Sequence, residues 1–243
     1  MKLMAWTRKK IVWGAVLVLL VLAAATLFYQ RHNIANRMMV SGGERAVANH
    51  IATPVNLNGR YRWPASSLKN SWSWSKAPWG FQVFRHVPLQ IGGVMPLWGA
   101  GNAKTGNVFP KQILGIAVNE KFETLYVYHC TFYGSPKNTP VYDLVFRYED
   151  GDSETNTILY GVDTLDYDTG GKKIVDPSGP NTKVAWVGSS FTPDGKQPLL
   201  FSLTAIKNPQ PFLKITSIDL FSSTNQSAGV ILAMTGGPAG LMK

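Results

Sequence analysis

Residues 11–29, IVWGAVLVLLVLAAATLFY, are nineteen uncharged and mostly apolar positions in a row. As a helix they would rise about 28 Å, close to the hydrocarbon thickness of a bilayer, so the pattern predicts a transmembrane helix. From Pro54 onward the pattern changes to short apolar runs punctuated by Gly and Pro, with little helical period. It predicts strands near 55–60, 81–85, 87–91, 112–118, 123–133, 140–148, 155–160, 183–188, 198–206, 212–221 and 229–235. In LYVYHCTF, Tyr126, Tyr128, Cys130 and Phe132 fall on one face and Leu125, Val127 and His129 on the other. In PVYDLVFRY, Tyr142, Leu144, Phe146 and Tyr148 share a face opposite Val141, Asp143, Val145 and Arg147. About ten short strands without intervening helices predict an all-β fold, an antiparallel β-sandwich over residues 54–236 with a short tail at 237–243.

The flanks of the apolar run set its orientation. Lys2, Arg8, Lys9 and Lys10 precede it without an acid, while Arg31 and Arg37 follow it. The cationic side stays inside, which predicts a cytoplasmic segment 1–10 and a C-terminal domain across a bacterial inner membrane, in the periplasm. A cleavable signal peptide with Ala23, Ala24 and Ala25 at its cleavage region is the rival reading. The apolar run continues through Leu27, Phe28 and Tyr29, which favours an uncleaved anchor. Residues 30–53 read as a connector, with a Gly pair and no sustained period.

Charge adds to this picture. The net charge is +10, and residues 31–121 hold eleven Lys and Arg against Glu44 and Glu120, whereas residues 122–243 hold nine against twelve acids. The half nearer the membrane is thus basic. An exported domain rarely meets nucleic acid, so anionic lipid headgroups or an acidic surface on another membrane-protein subunit are the expected complements.

Residues 61–98 carry five of the eight tryptophans, Trp63, Trp72, Trp74, Trp79 and Trp98, among four prolines. WSWSKAPWG is too rich in Trp and Pro for a regular strand. Three readings stand open for these rings: contact with a partner, packing in the domain's own core, or a platform for sugar rings.

Catalytic signatures are missing from the text. The single Cys130 permits no intrachain disulfide and no zinc site by itself. His129 and Cys130 are adjacent on a predicted strand and so point to opposite faces, which rules out a nucleophile pair. No nucleophile elbow, phosphate loop, HExxH or CxxCH motif occurs, so the expectation is a protein that is not an enzyme and has no cofactor. Two acidic clusters stand out: YEDGDSETN, and Asp163, Asp166 and Asp168 in GVDTLDYDTGG. The first offers Asp150, Asp152 and Glu154 as calcium candidates, although it matches only part of a calcium-loop pattern and is also what a solvated hairpin turn looks like.

The distal half resembles a known domain type. LGIAVNEKFETLYVYH, TPVYDLVFRYEDG and ILYGVDTLDY, then KNPQPFLKITSIDLFSS and GVILAMT, resemble the galactose-binding-like jelly rolls found in exported and membrane-anchored bacterial proteins, the NPCBM-like, carbohydrate-binding type. The opening WGFQVFRHVPLQIGGVMPLWG is similar as well, so the resemblance covers residues 54–236. It implies a jelly roll, and sugar binding as one function. Two functions follow as expectations. The first is a non-catalytic accessory subunit that docks its periplasmic sandwich onto a larger membrane complex, photosynthetic or respiratory. The second is a membrane-anchored carbohydrate-binding module facing a glycan.

Overall fold

The run TLYVYHCTF, alternating between aromatic and aliphatic positions, forms the central strand of the molecule. The computed structural model describes residues 51–68, 74–192 and 195–243. The predicted transmembrane helix at 11–29, its flanking Lys9, Lys10, Arg31 and Arg37, most of the 30–53 connector and Trp72 lie outside those residues. Among the described residues no helix is long and apolar enough to cross a membrane.

The strands, in chain order, are β1 (Thr53–Pro54), β2 (Trp63–Pro64), β3 (Gly80–Phe84), β4 (Val87–Ile91), β5 (Gly93–Pro96), β6 (Gln112–Glu120) and β7 (Thr124–Phe132). They continue with β8 (Pro140–Tyr148), β9 (Ser153–Leu159), β10 (Thr182–Thr192), β11 (Gly195–Lys207), β12 (Ile215–Ser222) and β13 (Ala228–Gly237). Two short helices, α1 (Ala65–Leu68) and α2 (Ala100–Lys104), complete the described elements. The fold is all-β, an antiparallel sandwich, as the strand spacing predicts.

One sheet runs β10-β11-β7-β13-β5-β2, with β1 also on β13; the other runs β6-β12-β8-β9. Apart from the β8–β9 and β10–β11 hairpins, each step from β5 to β13 crosses from one sheet to the other. Between the sheets lies a core in which Leu125, Val127, Ile231 and Met234 meet Tyr142, Leu144, Phe146, Ile218 and Leu220. The alternation predicted for residues 125–132 and 141–148 is what this core uses.

The sequence reading anticipated two layers, and the structure has a third. All nine residues of β7 are buried, so its outer face is covered too. Tyr126, Tyr128, Cys130 and Phe132 on that face pack with Val87, Leu89 and Ile91 of the β3–β4 hairpin and with Trp74. The hairpin turns on Arg85 and His86, both at positive φ (48° and 67°), the backbone of a two-residue turn whose twist matches its strands. Arg85 donates from Nε and Nη2 to the Val184 carbonyl at 3.2 and 3.1 Å, which ties this strained turn to β10.

The predicted strand at 55–60 is instead a turn. Asn56 accepts the Asn58 N–H through its side chain, Arg60 N–H donates to the Leu57 carbonyl, and Gly59 sits at φ 78°. An Asx turn followed by a left-handed glycine competes successfully with a strand here.

One polar residue on the inner face of β7 is fully enclosed. His129 is 0% exposed, with Nδ1 2.6 Å from the Tyr142 hydroxyl and Nε2 2.8 Å from Thr204 Oγ1 and 3.0 Å from the Asp163 carbonyl. The Thr204 hydroxyl donates to that carbonyl and accepts from Thr182. A neutral imidazole protonated at Nε2, accepting at Nδ1 from Tyr142, satisfies every member. Burial depresses the His129 pKa to about 3, against a weaker opposing effect of the Asp163 carbonyl.

The depressed pKa fixes a sign. Between pH 6.5 and about 3 the unfolded chain takes up a proton at this position that the folded chain refuses, so stability is present above pH 6.5 and falls by up to about 1.4 kcal/mol per pH unit below it. His129→Gln should lower stability at pH 7 by about 1–3 kcal/mol through the broken network. It should also remove this part of the acid slope. Denaturant melts of both proteins from pH 7 to 4 check this, and equal slopes would place the acid sensitivity elsewhere.

Candidate functional site

The third layer does not cover the whole outer face, and where it stops there is a cleft of about 610 Å³. Its floor is the end of β7. Phe132 is 9% exposed and lies 6.4 Å from Trp63, 6.1 Å from Trp74 and 6.1 Å from Phe109, centroid to centroid. Trp63 meets Phe109 edge to face at 5.4 Å. Tyr167 closes this wall, stacked on Trp74 at 5.5 Å and set edge-on to Phe132 at 5.2 Å. Such ring pairs contribute about 0.5–1.5 kcal/mol each beyond their burial alone.

The carboxylates arrive by a split in the large sheet. β7 and β11 pair from Thr124/Lys207 to His129/Ser202 and then diverge. Residues 165–168 fill the gap as a strand-like insert. Thr131 N–H donates to the Leu165 carbonyl at 2.9 Å, Tyr167 N–H to the Thr131 carbonyl at 3.0 Å, and Leu200 N–H to the Tyr167 carbonyl at 2.8 Å. The main chain of Asp166-Tyr167-Asp168 is thereby clamped from both sides, and the two carboxylates are two residues apart on it. Asp166 Oδ1 accepts the Asp168 N–H at 3.2 Å, and Asp168 Oδ1 accepts the Gly170 N–H at 2.8 Å. A second groove of about 460 Å³ shares these acids and is bordered by Tyr160, Lys172 and Lys173.

Burial pushes the Asp166 carboxyl up to about 6, aided by the charge of Asp168 and opposed by the N–H groups of Asp168 and Tyr167. Tyr167 is pushed up to about 12, first by burial and then by the charges of Asp166 and Asp168. The buried Cys130 thiol is pushed well up by burial and then by Asp166, so it stays protonated and inert.

Two further residues complete the rim. Asn102, in α2, is 6% exposed and lines the cleft, and its side-chain oxygen has no hydrogen-bond partner. Tyr133 directly follows β7 at φ 64° and lays its ring on Gly101, where an added Cβ would meet the ring at 2.6 Å. A bulky residue held in the left-handed region is strained, and strain of this kind gathers at binding sites.

Of the tryptophans singled out by sequence, the cleft brings together Trp63 and Trp74. Trp79 packs behind Trp74 at 6.5 Å, with Nε1 donating to the Trp74 carbonyl at 3.2 Å, and does not line the cleft. Trp98 lies under the Lys111 ammonium at 5.5 Å and does not line it either. Trp63, Trp79 and Trp98 are half-buried, and Trp74 at 7% exposure covers its own sheet. Asp150 and Asp152 sit in the β8–β9 turn, where Asp150 Oδ1 accepts the Asp152 N–H at 3.0 Å, and Glu154 lies on β9. Among the described residues no group of three or more His, Cys, Asp or Glu is placed to hold a metal ion. Phe109, Asn102 and Tyr133 carried no sequence signal, since what joins them to Phe132 is spatial.

Asp166 and Asp168 stand side by side on one wall, whereas paired-carboxylate glycoside hydrolysis needs acids facing each other across the substrate. His129 points into the sandwich core, on the face of β7 away from Phe132.

The raised Asp166 pKa is a stability statement. Folding opposes its ionisation, so the penalty is absent below pH 3.8, grows as pH rises through 6 and is constant above. Asp166→Asn keeps the acceptor for the Asp168 N–H and should stabilise the protein at pH 7.5 by about 1–2 kcal/mol, allowing for its partial exposure. The gain should vanish near pH 4. Thermal melts at the two pH values read both numbers, and a destabilised variant at pH 7.5 would refute the account.

Compared with known proteins, the chain matches no protein-family model, no curated protein and no solved structure.

Proposed function

We propose that this chain is a non-catalytic, ligand-binding jelly-roll module, carried across a bacterial inner membrane by its apolar N-terminal run, whose aromatic cleft takes a saccharide. The aromatic cleft at the end of β7 carries this reading. Flat rings suit the apolar faces of a sugar, and a few convergent acceptors suit its hydroxyls. The strand path supports the jelly-roll assignment. The order β5-β13-β7-β11 against β6-β12-β8-β9, with strands crossing between sheets, is that of an eight-strand jelly roll to which β10 adds an edge. Anchor and orientation rest on the apolar residues 11–29 and the cations before them, and the basic half of the chain suits anionic lipid nearby.

Docking onto a larger membrane complex is the second reading. It loses the free Trp-rich arm, because Trp74 is buried in its own domain. What favours it is Phe212, 86% exposed in the turn that precedes β12. Gentle extraction of native membranes followed by native separation tests it, with partners in fixed ratio as the supporting result.

The saccharide reading is tested by titrating the full chain in detergent with a panel of oligosaccharides, read by tryptophan fluorescence. Trp63→Ala, at a half-buried position on the wall, should weaken the best ligand at least tenfold, about 1.4 kcal/mol, while leaving the melting curve cooperative. Unchanged affinity in Trp63→Ala would remove the cleft from the function.

A further inference from the structure

Of the four outer strands of the two sheets, three carry features that block pairing with another chain. β2 has two residues and ends in Pro64. β6 shifts register twice against β12, and Arg60 donates to its Leu114 and Gly115 carbonyls at 3.1 and 2.7 Å. β9 is polar and carries Glu154. The fourth, β10, runs eleven residues and is covered at its start, where the Val184 N–H donates to Asp176 at 2.8 Å and its carbonyl accepts from Arg85. Beyond that point the edge is open. Leu200 N–H donates to the Tyr167 carbonyl, away from β10, so Val187, its partner in the β10–β11 ladder, turns its own N–H and C=O outward. Alternation repeats this at Ser189 and Phe191. Among the described residues no main-chain bond from outside the sheet reaches this part of the edge, and the Val187 side chain is 47% exposed.

We infer that this edge pairs with the same edge of a second copy of the chain, antiparallel, about a two-fold axis at Ser189. Val187 then lies opposite the partner's Phe191, and the outward N–H and C=O groups of each copy meet their complements in the other. The open stretch fits its own reverse. Turned about Ser189, the covered Val184 of one copy falls beyond the partner's Thr192, where β10 ends, so Arg85 and Asp176 obstruct nothing. Charge selects a second copy. The chain carries +10, so two copies repel overall. Residues 184–192 hold no charged side chain, and Lys183 before them is paired with Asp176 at 3.5 Å. Two copies therefore approach here with no like charges opposed, whereas an acidic partner finds no cation along this edge. The pairing is independent of what the cleft binds.

The test uses the full chain in detergent. Light scattering corrected for bound detergent should give twice the 26.7 kDa of one chain. Ser189→Lys sets two ammonium groups against each other near the axis and should weaken association at least tenfold, with the melting curve still cooperative. Ser189→Cys treated with a thiol oxidant should give a dimer that reduction reverses, because opposed Cα atoms in such a pair lie about 5.5 Å apart, within disulfide reach. The native Cys130 is buried and does not compete. Val108→Cys, at a position 72% exposed in the α2–β6 connection, should give no such dimer. A monomeric wild-type chain, or a dimer that Ser189→Lys leaves intact, would overturn the inference. Crosslinking of Ser189→Cys in native membranes to a different protein, and not to itself, would also overturn it and give the edge to that partner.

Discussion

β7 carries nine consecutive buried residues, and the rest of the domain is arranged to cover both of its faces. A strand with one wet face needs one partner sheet; this strand presents Tyr126, Tyr128 and Phe132 on one side and Leu125 and Val127 on the other. The β6-β12-β8-β9 sheet covers the aliphatic side. The aromatic side is covered by the β3–β4 hairpin and the Trp-rich segment, which explains why a chain with one cysteine carries so many rings before its main sheets begin. Fully burying each aromatic ring is worth about 1.5–3 kcal/mol, so this third layer contributes as much as a small core of its own.

The cleft is a consequence of that cover ending. The hairpin reaches Tyr128 through Phe84, stacked at 5.4 Å, but Phe132 lies beyond it and meets the rings of Trp63, Trp74, Phe109 and Tyr167 around a cavity. At the same end β7 and β11 part, and the acidic insert enters between them. One strand end therefore supplies the floor of the cleft, the backbone partners of Asp166 and the strained Tyr133. The network around His129, by contrast, is closed off: His129, Thr204, Thr182 and the Asp163 carbonyl satisfy one another and leave nothing for a ligand.

The fold was legible in the sequence where burial alternates with period two. The faces of residues 125–132 and 141–148 were readable because each strand meets different partners on its two sides, and sheet geometry turns that directly into alternation. Within residues 61–98 the strands near 81–85 and 87–91 were readable, but the role of the tryptophans was not, because Trp and Pro there serve a covering layer with no period of its own. Segment 55–60 failed for a local reason, since Asn56 and Gly59 prefer a turn that apolar Val55 and Leu57 do not reveal. The site was half legible. Asp163, Asp166 and Asp168 stood out as a cluster, yet only the split between β7 and β11 separates their roles: the Asp163 carbonyl serves the core network while Asp166 lines the cleft. Asn102 and Phe109 join them from the β5–β6 connection, more than fifty residues away in sequence, and no local pattern encodes a contact closed over that distance.

A final argument concerns why the acids stay in a site that folding disfavours. Asp166 has a hydrogen bond from the Asp168 N–H but no cation beside it among the described residues, and burial works against its charge. Asn102 likewise keeps a buried oxygen without a donor. Folding alone favours replacing both with apolar side chains of similar volume, because an unsatisfied buried polar group costs about 1–3 kcal/mol. Both costs fall on residues at the end of β7, which is the physical reason for proposing the function there rather than at the tryptophans as a group.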